Sequence, residues 1–502
     1  MVILPSNVEG GIVRITPFIT ATCLLALLSF SFVATAADTL PNIVYVLSDD
    51  LGYGDVSSFN GGSKIQTTHI DSLAREGMRF TDAHSGSAVC TPTRYGILTG
   101  RYCWRSRLKK GVLGGYGEPL IEPGRATVAE FLRDHGYSTA CFGKWHLGLG
   151  WQEKPGASGS PNGRNIDFTK PVTDGPNTHG FDYSFIIPAS LDMAPYVYLE
   201  NGKATEPVTR NIPDSPRPAY YRGGPTAATF DHGTTLLEIT KHTTAWIDNH
   251  KDGTPFFLYV PFTAPHTPHM PRPEFRGKSG AGNYGDFVLE VDWSLGQIVE
   301  ALARNKLADN TLLIFTSDNG AHSEPLHLEE KYGHKANADF RGQKSDAWDG
   351  GHHIPFIARW PGHVLAGTSC DRTVSLCDLF ATAADLIKAP IPAAAAEDSF
   401  SQLPLMLGKP DAPMRPAVVM HSNDGYFAIK QGPWKLVLAR GSGGWTLPEA
   451  KAPADAPPVQ LYNTQDDPSE KVNQYAKHPE IVAQLKTVLN GFEKNGRSTW
   501  VK

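Results

Sequence analysis

The sequence is poor in cysteine and has no excess of basic charge. Six cysteines in 502 residues are too few for a fold held together by disulfides. The formal net charge is −5, so we expect no basic surface of the kind that binds nucleic acid. Hydrophobic residues make up 40% of the chain, which is ordinary for a globular protein with a large core. Attraction of an anionic ligand would therefore depend on a local group of charges.

Long apolar runs are absent beyond the N-terminus. The apolar stretch 15–32 follows Arg14 and precedes the small residues ATA at 34–36. This pattern is typical of a secretory signal peptide, which we predict for residues 1–36. A membrane anchor is the alternative, but the stretch is short for a span. The chain also lacks an Asn-x-Ser/Thr sequon, which favours a bacterial envelope protein. We predict a secreted or periplasmic protein with no stable membrane insertion after cleavage.

Two predicted strands end in side chains that carry oxygen. Residues 43–47 are continuously apolar and are followed by Asp49 and Asp50. Residues 311–316 are followed by Asp318 and Asn319. Active sites of open α/β sheets lie at the carboxyl ends of strands, and adjacent carboxylates repel each other unless a cation lies between them. A solvated loop would explain a bare acidic pair. Both clusters together predict a site for Ca²⁺ or Mg²⁺ and not for zinc.

The order of apolar runs predicts an α/β fold. Buried strands are expected at 43–47, 255–262, 311–316 and 354–360, and helices at 69–79, 127–132, 234–249, 284–305 and 376–387. Residues 151–221 are rich in glycine and proline and are interpreted as functional loops. After a Pro- and Ala-rich boundary at 389–398, short β-prone segments precede a last helix at 481–492. We predict a large mixed central sheet flanked by helices, with a smaller C-terminal antiparallel sheet plus helix.

Cys90 lies in an unusual sequence, GSAVCTPTRYGILTGRY at 86–102. A lone cysteine is most often a buried, inert core residue. Here Pro92 and small polar neighbours indicate a shaped turn, and the apolar pair at 97–98 would carry a helix into the core. Cys90 would then lie near a helix N-terminus, where anions are stabilised. Arg94 follows one turn later.

Basic residues and histidines follow two further predicted strands. Lys144 and His146 lie in YSTACFGKWHLG, and two residues of spacing after a strand would direct both side chains to one side. His266 follows the strand at 255–262 and is held between prolines in APHTPH. Taken singly, a lysine is usually solvated and a histidine is usually structural. Their positions at strand ends favour a shared site.

These segments resemble the sulfatase family, of the alkaline phosphatase superfamily. The stretch 88–100 is similar to the signature in which the cysteine becomes formylglycine, and 137–148 is similar to the second signature. The resemblance extends over about residues 40–490, and PASLDMAPYVYLENG at 188–202 is similar to bacterial polysaccharide sulfatases. It implies an alkaline phosphatase-like fold and a formylglycine-generating maturation enzyme as a partner.

The resemblance also assigns residue roles. Asp49, Asp50, Asp318 and Asn319, with the modified Cys90, would hold one calcium ion, magnesium being the second choice. The implied catalytic residues are Cys90, Arg94, Lys144, His146, His266 and Lys344. Arg94 and Lys144 would hold the hydrated formylglycine, His146 would assist its deprotonation, Lys344 would bind the sulfate and His266 would protonate the leaving alcohol.

Three groups of residues leave alternatives open. Asp349 and His353 stand where the family usually has Glu and Arg, which puts the geometry of the loop after Lys344 in doubt. Asp192 is a candidate contact for a sugar hydroxyl, with turn capping as the alternative. Cys370 and Cys377 could close a short disulfide loop, which the sequence does not decide.

We therefore expect a signal peptide at 1–36, a catalytic sulfatase domain at 37–395 and a C-terminal subdomain at 396–502. The expected activity is hydrolysis of sulfate esters on a sulfated carbohydrate. One alternative is a phosphodiesterase or phosphonate monoester hydrolase of the same superfamily. The other is a catalytically dead protein that binds sulfated glycans.

Overall fold

The computed structural model describes Gly10, Gly11, Arg14 and residues 40–157, 162–217, 219–409, 411 and 415–499. The predicted signal peptide therefore lies outside the described residues, apart from those first three. Residues from Leu40 onward form one compact unit. Among the described residues, no helix is both long and apolar enough to cross a bilayer.

The described strands, in chain order, are β1 (Asn42–Asp49), β2 (Met78–Phe80), β3 (Ala83–His84), β4 (Ser138–Lys144), β5 (Tyr183–Ile187), β6 (Leu199–Glu200), β7 (Lys203–Ala204), β8 (Val208–Ile212), β9 (Gly224–Ala227), β10 (Phe256–Pro265), β11 (Thr311–Ser317), β12 (Phe356–Arg359), β13 (Thr368–Cys370), β14 (Val374–Ser375), β15 (Val418–His421), β16 (Phe427–Gln431), β17 (Trp434–Val437) and β18 (Gln460–Asn463). The helices are α1 (Thr68–Glu76), α2 (Cys90–Thr99), α3 (Val128–Asp134), α4 (Thr235–Asn249), α5 (Gly282–Arg304), α6 (Leu328–Tyr332), α7 (Asp349–His352), α8 (Leu379–Leu386), α9 (Leu403–Met406) and α10 (Pro479–Asn495).

Strand β1 lies in the middle of the large sheet. In the described part of the chain the sheet has ten strands in the order β13-β2-β12-β11-β1-β10-β4-β5-β6-β7. The central strands β11, β1, β10, β4 and β5 run parallel, whereas β12, β6 and β7 are antiparallel to their neighbours. Every residue of β1 is buried, as a strand covered on both faces requires. The predicted mixed central sheet is confirmed.

Helices cover the sheet in two groups. Helices α1, α4 and α5 pack together, and α2, α3 and α8 pack together. The longest, α5, has 23 residues and buries Val288, Val291, Leu295 and Ile298. These side chains recur at spacings of three and four residues, which places them along one stripe of the helix. The parallel central strands therefore end together at one edge of a rigid, covered layer.

The C-terminal segment forms the predicted small sheet. Strands β15–β18 are joined in sequence order and are antiparallel throughout. Helix α10 contributes Val482, Leu485, Leu489 and Phe492 to an apolar cluster with this sheet. Tyr102, Trp104 and Cys377 belong to the same cluster, so the small sheet packs directly on the segment after α2. The predicted antiparallel sheet plus helix is confirmed, while the boundary at 395/396 stays a prediction.

Two expectations need correction. The stretch 151–221 is not only loops, because it contains β5, which extends the central sheet beside β4, and the short strands β6, β7 and β8. Its run YSFII is apolar but short, and the surrounding glycines and prolines conceal it. Cys370 and Cys377 are both free thiols, so the possible disulfide between them is not formed.

Candidate active site

The oxygen-bearing side chains predicted at two strand ends lie together. Asp49 ends β1, and Asp318 and Asn319 follow β11, which pairs in parallel with β1. Asp50 has a φ of 63°, a left-handed conformation that is uncommon outside glycine. Its backbone N–H donates to Asp318 Oδ1 at 3.2 Å. All of these side chains are buried.

Three basic side chains contact the three carboxylates. Lys144 Nζ lies 2.6 Å from Asp49 Oδ2, and Lys344 Nζ lies 2.7 Å from Asp50 Oδ1. Arg94 donates from Nε and Nη2 to Asp318 Oδ2 at 3.1 and 2.7 Å. The charges balance one another, which is the condition for burying so many of them. We name this group the strand-end cluster; its members are Asp49, Asp50, Asp318, Asn319, Arg94, Lys144 and Lys344.

The balance of charges moves the carboxylate pKa values apart. Burial alone would raise the pKa of Asp50, but Lys344 and His266 lower it well below its usual range. Burial and the charge of Asp49 raise the pKa of Asp318 to about 6, despite Arg94. A cation held between Asp49 and Asp318 would remove that mutual repulsion.

Cys90 lies beside the carboxylates of the strand-end cluster. It is the first residue of α2 and is 2% exposed. Its sulfur and one carboxylate oxygen each from Asp49 and Asp318 lie within 4.8 Å of one another. Burial raises the pKa of the thiol, although Lys144 and Lys344 act to lower it. An unmodified Cys90 is therefore a protonated thiol, and hence a poor nucleophile, at neutral pH.

Two buried oxygens of the cluster have no hydrogen-bond partner among the described residues. They are Asp49 Oδ1 and Asn319 Oδ1. The Asn319 side-chain amide donates to Asp50 Oδ1 at 2.7 Å and to its neighbour's carbonyl, which leaves its own oxygen free. Leaving buried oxygens unpaired costs about 1–3 kcal/mol each, so their presence points to an absent partner. Oxygens alone fit a hard cation such as Ca²⁺.

His146 has one buried ring nitrogen without a hydrogen-bond partner among the described residues. Its Nε2 lies 2.7 Å from the carbonyl oxygen of Leu113 and must donate there. That bond leaves Nδ1 as the unprotonated nitrogen, and Nδ1 is buried without a partner among the described residues. Burial, Lys144 and Arg94 hold the pKa of His146 well below its usual range. The strand alternation used in the prediction does not extend to His146, since β4 ends at Lys144 and His146 has a φ of 56°.

His266 and Ser190 lie next to members of the strand-end cluster. His266 Nδ1 lies 2.7 Å from the Thr267 carbonyl oxygen, and its Nε2 lies 3.7 Å from Asp50 Oδ2. Ser190 Oγ lies 3.2 Å from Lys144 Nζ and 3.3 Å from His266 Nε2. The sequence analysis missed Ser190. It follows β5, so recognition of that strand would have drawn attention to it.

No described hydrogen bond or ion pair joins Asp192 to a member of the strand-end cluster. Its Oδ2 accepts from Arg222 Nη1 at 2.6 Å, and its Oδ1 is buried without a partner among the described residues. The Arg222 side chain is half exposed. A contact between Asp192 and a sugar therefore stays a prediction.

A second group of acids and histidines lies where the central and small sheets meet. Asp349 Oδ1 accepts from Lys435 at 2.6 Å, and His353 bonds to Asp349 and to the Thr81 carbonyl. The two positions that depart from the family pattern therefore contact each other, and Lys344 keeps its contact with Asp50. We name this group the seam cluster; its members are Asp82, His84, Asp349, His352, His353, Lys430, Lys435 and Glu470.

Comparisons with known proteins agree on one family. The model of the family described as Sulfatase matches residues 41–389. N-acetylgalactosamine-6-O-sulfatase of Bacteroides thetaiotaomicron is 37% identical over 495 residues, covering 90% of this chain and 93% of that protein. Human arylsulfatase A is 31% identical over 481 residues, covering 89% and 86%.

A solved structure gives the same result. It belongs to a study of the metabolism of multiple glycosaminoglycans by Bacteroides thetaiotaomicron. The TM-score is 0.80 at 34% identity, with 91% of this chain and 100% of that one covered. The alkaline phosphatase-like fold expected from the sequence is thereby confirmed.

Proposed function

This chain belongs to the sulfatase family of sulfuric ester hydrolases, and we propose that its substrate is a sulfated carbohydrate, with a sugar of the galactose type bearing the ester. The bacterial relative named for N-acetylgalactosamine 6-O-sulfate supports this choice, since it aligns over 90% of the chain. We further propose export to the periplasm or medium, where polymeric glycans are met.

The observation that carries the proposal is a set of buried polar atoms without hydrogen-bond partners, in the strand-end cluster and on His146. Asp49 Oδ1, Asn319 Oδ1 and His146 Nδ1 are buried without partners among the described residues. The two oxygens can bind a hard cation, and the nitrogen can accept a proton. Hydrolysis of a sulfate ester needs both functions. Asp49, Asp50, Asp318 and Asn319 would hold the ion.

The absent groups would supply two things. Calcium would withdraw charge from the sulfate oxygens, and formylglycine made from Cys90 by a maturation enzyme would supply the attacking hydroxyl. The raised pKa of the Cys90 thiol supports the need for such a modification, because a protonated thiol attacks poorly.

The chain's own residues would then orient the substrate and neutralise its charge. The carboxylates and bases of the strand-end cluster balance, so a bound divalent cation leaves the cavity positive for a monoanionic sulfate ester. Lys344 would leave Asp50 for the sulfate oxygens. Arg94 and Lys144 would hold the residue at position 90. His146 Nδ1 would accept a proton, and His266 Nε2 would donate one to the leaving oxygen.

Sulfate release from N-acetylgalactosamine 6-sulfate tests the proposal. Protein made in a host with a maturation enzyme should release sulfate, and its 86–102 peptide should carry an aldehyde by mass spectrometry. Faster cleavage of an aryl phosphodiester than of any sulfate ester would favour the phosphodiesterase or phosphonate hydrolase alternative. An unmodified thiol in protein from its native host, with sugar binding and no turnover, would favour the dead glycan-binding alternative.

A further inference from the structure

Trp445 is exposed in a way that the other described tryptophans are not. Its side chain is 43% exposed, whereas the others described are buried or half-buried. It lies in the loop that connects β17 to β18 of the small sheet. A single exposed aromatic ring is common on protein surfaces, so the position of the Trp445 ring decides whether it can contact a ligand.

The loop that carries Trp445 is fixed to the segment of Lys344. A Cβ built on Gly444 would lie 2.3 Å from the Ser345 carbonyl oxygen, so only glycine allows this close approach. Thr446 Oγ1 donates to Asp346 Oδ2 at 2.6 Å. Both neighbours of Trp445 are therefore attached to the residues that follow Lys344. The ring is therefore carried by a loop that is anchored to the segment of Lys344 and is not on a free loop.

His322 lies between this ring and the strand-end cluster. Its ring centroid is 4.8 Å from that of Trp445. The preceding carbonyl, of Ala321, accepts from the Lys344 backbone N–H at 3.1 Å. No hydrogen bond joins either ring nitrogen of His322 to another described residue. Burial and the charge of Lys344 lower the pKa of His322 to about 3, so the ring is neutral at working pH.

We propose that Trp445 and His322 together bind the sugar ring that carries the sulfate ester, an inference that rests on the function proposed above. The indole would lie against the apolar C–H face of the pyranose. A ring nitrogen of His322 would form a hydrogen bond with a hydroxyl of the same sugar, as donor or acceptor according to its tautomer. With the sulfate on Lys344, the sugar extends outward past His322 to Trp445.

The two residues supply what a carbohydrate needs. A pyranose has one face of C–H groups and a rim of hydroxyls, so an aromatic plane beside an unpaired polar atom is complementary to it. The positive charge of Arg217 also lowers the pKa of His322. Neither Trp445 nor His322 bonds to the carboxylates of the strand-end cluster, so both can be changed without removing a cluster contact.

Calorimetric binding to the Cys90→Ala protein, which cannot turn over, tests this inference. Trp445→Ala in that background should weaken binding of N-acetylgalactosamine 6-sulfate about tenfold. Trp445→Phe should restore most of it, and His322→Ala should weaken it about fivefold. Val472→Ala, which trims an apolar side chain that is 53% exposed in the same C-terminal region, is the matched control and should have no effect.

Inorganic sulfate separates sugar recognition from damage to the sulfate site. The affinity for inorganic sulfate, measured by competition, should be the same with and without the Trp445→Ala change. Equal weakening of sulfate and sugar would mean that the loop had displaced Lys344, and would overturn the inference. Unchanged sugar binding in Trp445→Ala, or no binding of this sugar to the Cys90→Ala protein, would overturn it too. Trp445-dependent binding by a matured wild-type protein that releases no sulfate would refute the proposed hydrolysis and still support the sugar contact.

Discussion

The strand-end cluster and the seam cluster look alike by composition and differ in how completely their atoms are paired. In each region, carboxylates lie with a histidine or cysteine in groups whose ligand atoms are within 4.8 Å of one another. Beside the strand-end cluster, these partners are Cys90 and His266. Each is buried and combines carboxylates with lysines. Composition and proximity alone would make both of them candidate metal sites.

The ring nitrogens distinguish the two. In the seam cluster, His84 bonds to Asp82 at 2.9 Å and to His352 at 3.0 Å. His352 also bonds to the Ala347 carbonyl oxygen, so both of its nitrogens are engaged. Near the strand-end cluster, His146 has a bare Nδ1, and oxygens of Asp49 and Asn319 are bare as well. Fully engaged ring nitrogens indicate a structural network, and Glu470 Oε1, which has no hydrogen bond among the described residues, still lies 2.8 Å from Lys435 Nζ. Bare buried atoms, by contrast, indicate a place for a ligand.

The largest expected effect is at Cys90. Cys90→Ala should lower sulfate release by at least about 10³-fold, because it removes the proposed nucleophile. Ion chromatography of released sulfate gives the rate. The midpoint of urea unfolding should change little, since alanine fits the space. Activity within tenfold of wild type would contradict the assignment of position 90.

Removal of one bare oxygen should weaken the proposed metal site. Asn319→Ala should raise the calcium concentration needed for half-maximal activity about 10- to 100-fold, because a ligand is lost. Activity measured in calcium-buffered solutions after chelation gives this value. The matched change in the seam cluster, His352→Gln, should leave the calcium requirement unaltered. A shift in that variant would show that the seam cluster also holds an ion.

Breaking the seam network should cost stability and spare catalysis. His84→Ala leaves polar atoms of Asp82 and His352 without their hydrogen-bond partner. We therefore expect the free energy of unfolding to fall by about 2–3 kcal/mol. Urea unfolding followed by fluorescence measures it. The turnover number of the folded fraction should stay within about twofold of wild type. A loss of turnover with unchanged stability would reverse the roles assigned to the two clusters.

The smallest effect is a pH dependence of stability. Burial and Asp349 raise the pKa of Glu470 from 4.5 to about 7, despite Lys435. The folded state therefore binds this proton more tightly than the unfolded state. The resulting stabilisation is complete below the unfolded pKa and is lost as pH rises through the folded one. About 1 kcal/mol should disappear between roughly pH 6 and pH 8. In Glu470→Gln, the urea midpoint should depend less on pH across this range. An unchanged dependence on pH would contradict the assignment.

The sequence predicted the strand-end residues well because strand ends and motif spacing are local signals. Asp49 and Asp318 each follow an apolar run, and parallel pairing of β1 with β11 brings them together. Strand β5 was missed because its apolar run is only five residues long within a glycine- and proline-rich stretch. Recognition of β5 would have drawn attention to Ser190, whereas the position of Trp445 depends on contacts between segments far apart in the chain, which no local pattern encodes.

The burial of Cys90 has a consequence for biosynthesis. The Ala88 N–H donates to the His421 carbonyl oxygen at 2.9 Å, and the Ala88 carbonyl accepts from the Ser345 N–H at 2.7 Å. Strand β15, which leaves the ribosome long after the thiol, thus closes over the segment that holds it. Under the proposed maturation of Cys90, the oxidising enzyme would have to reach this peptide during synthesis or translocation, since the folded protein shields it. Expression without that partner would yield a permanently immature product that later addition of the enzyme could not rescue.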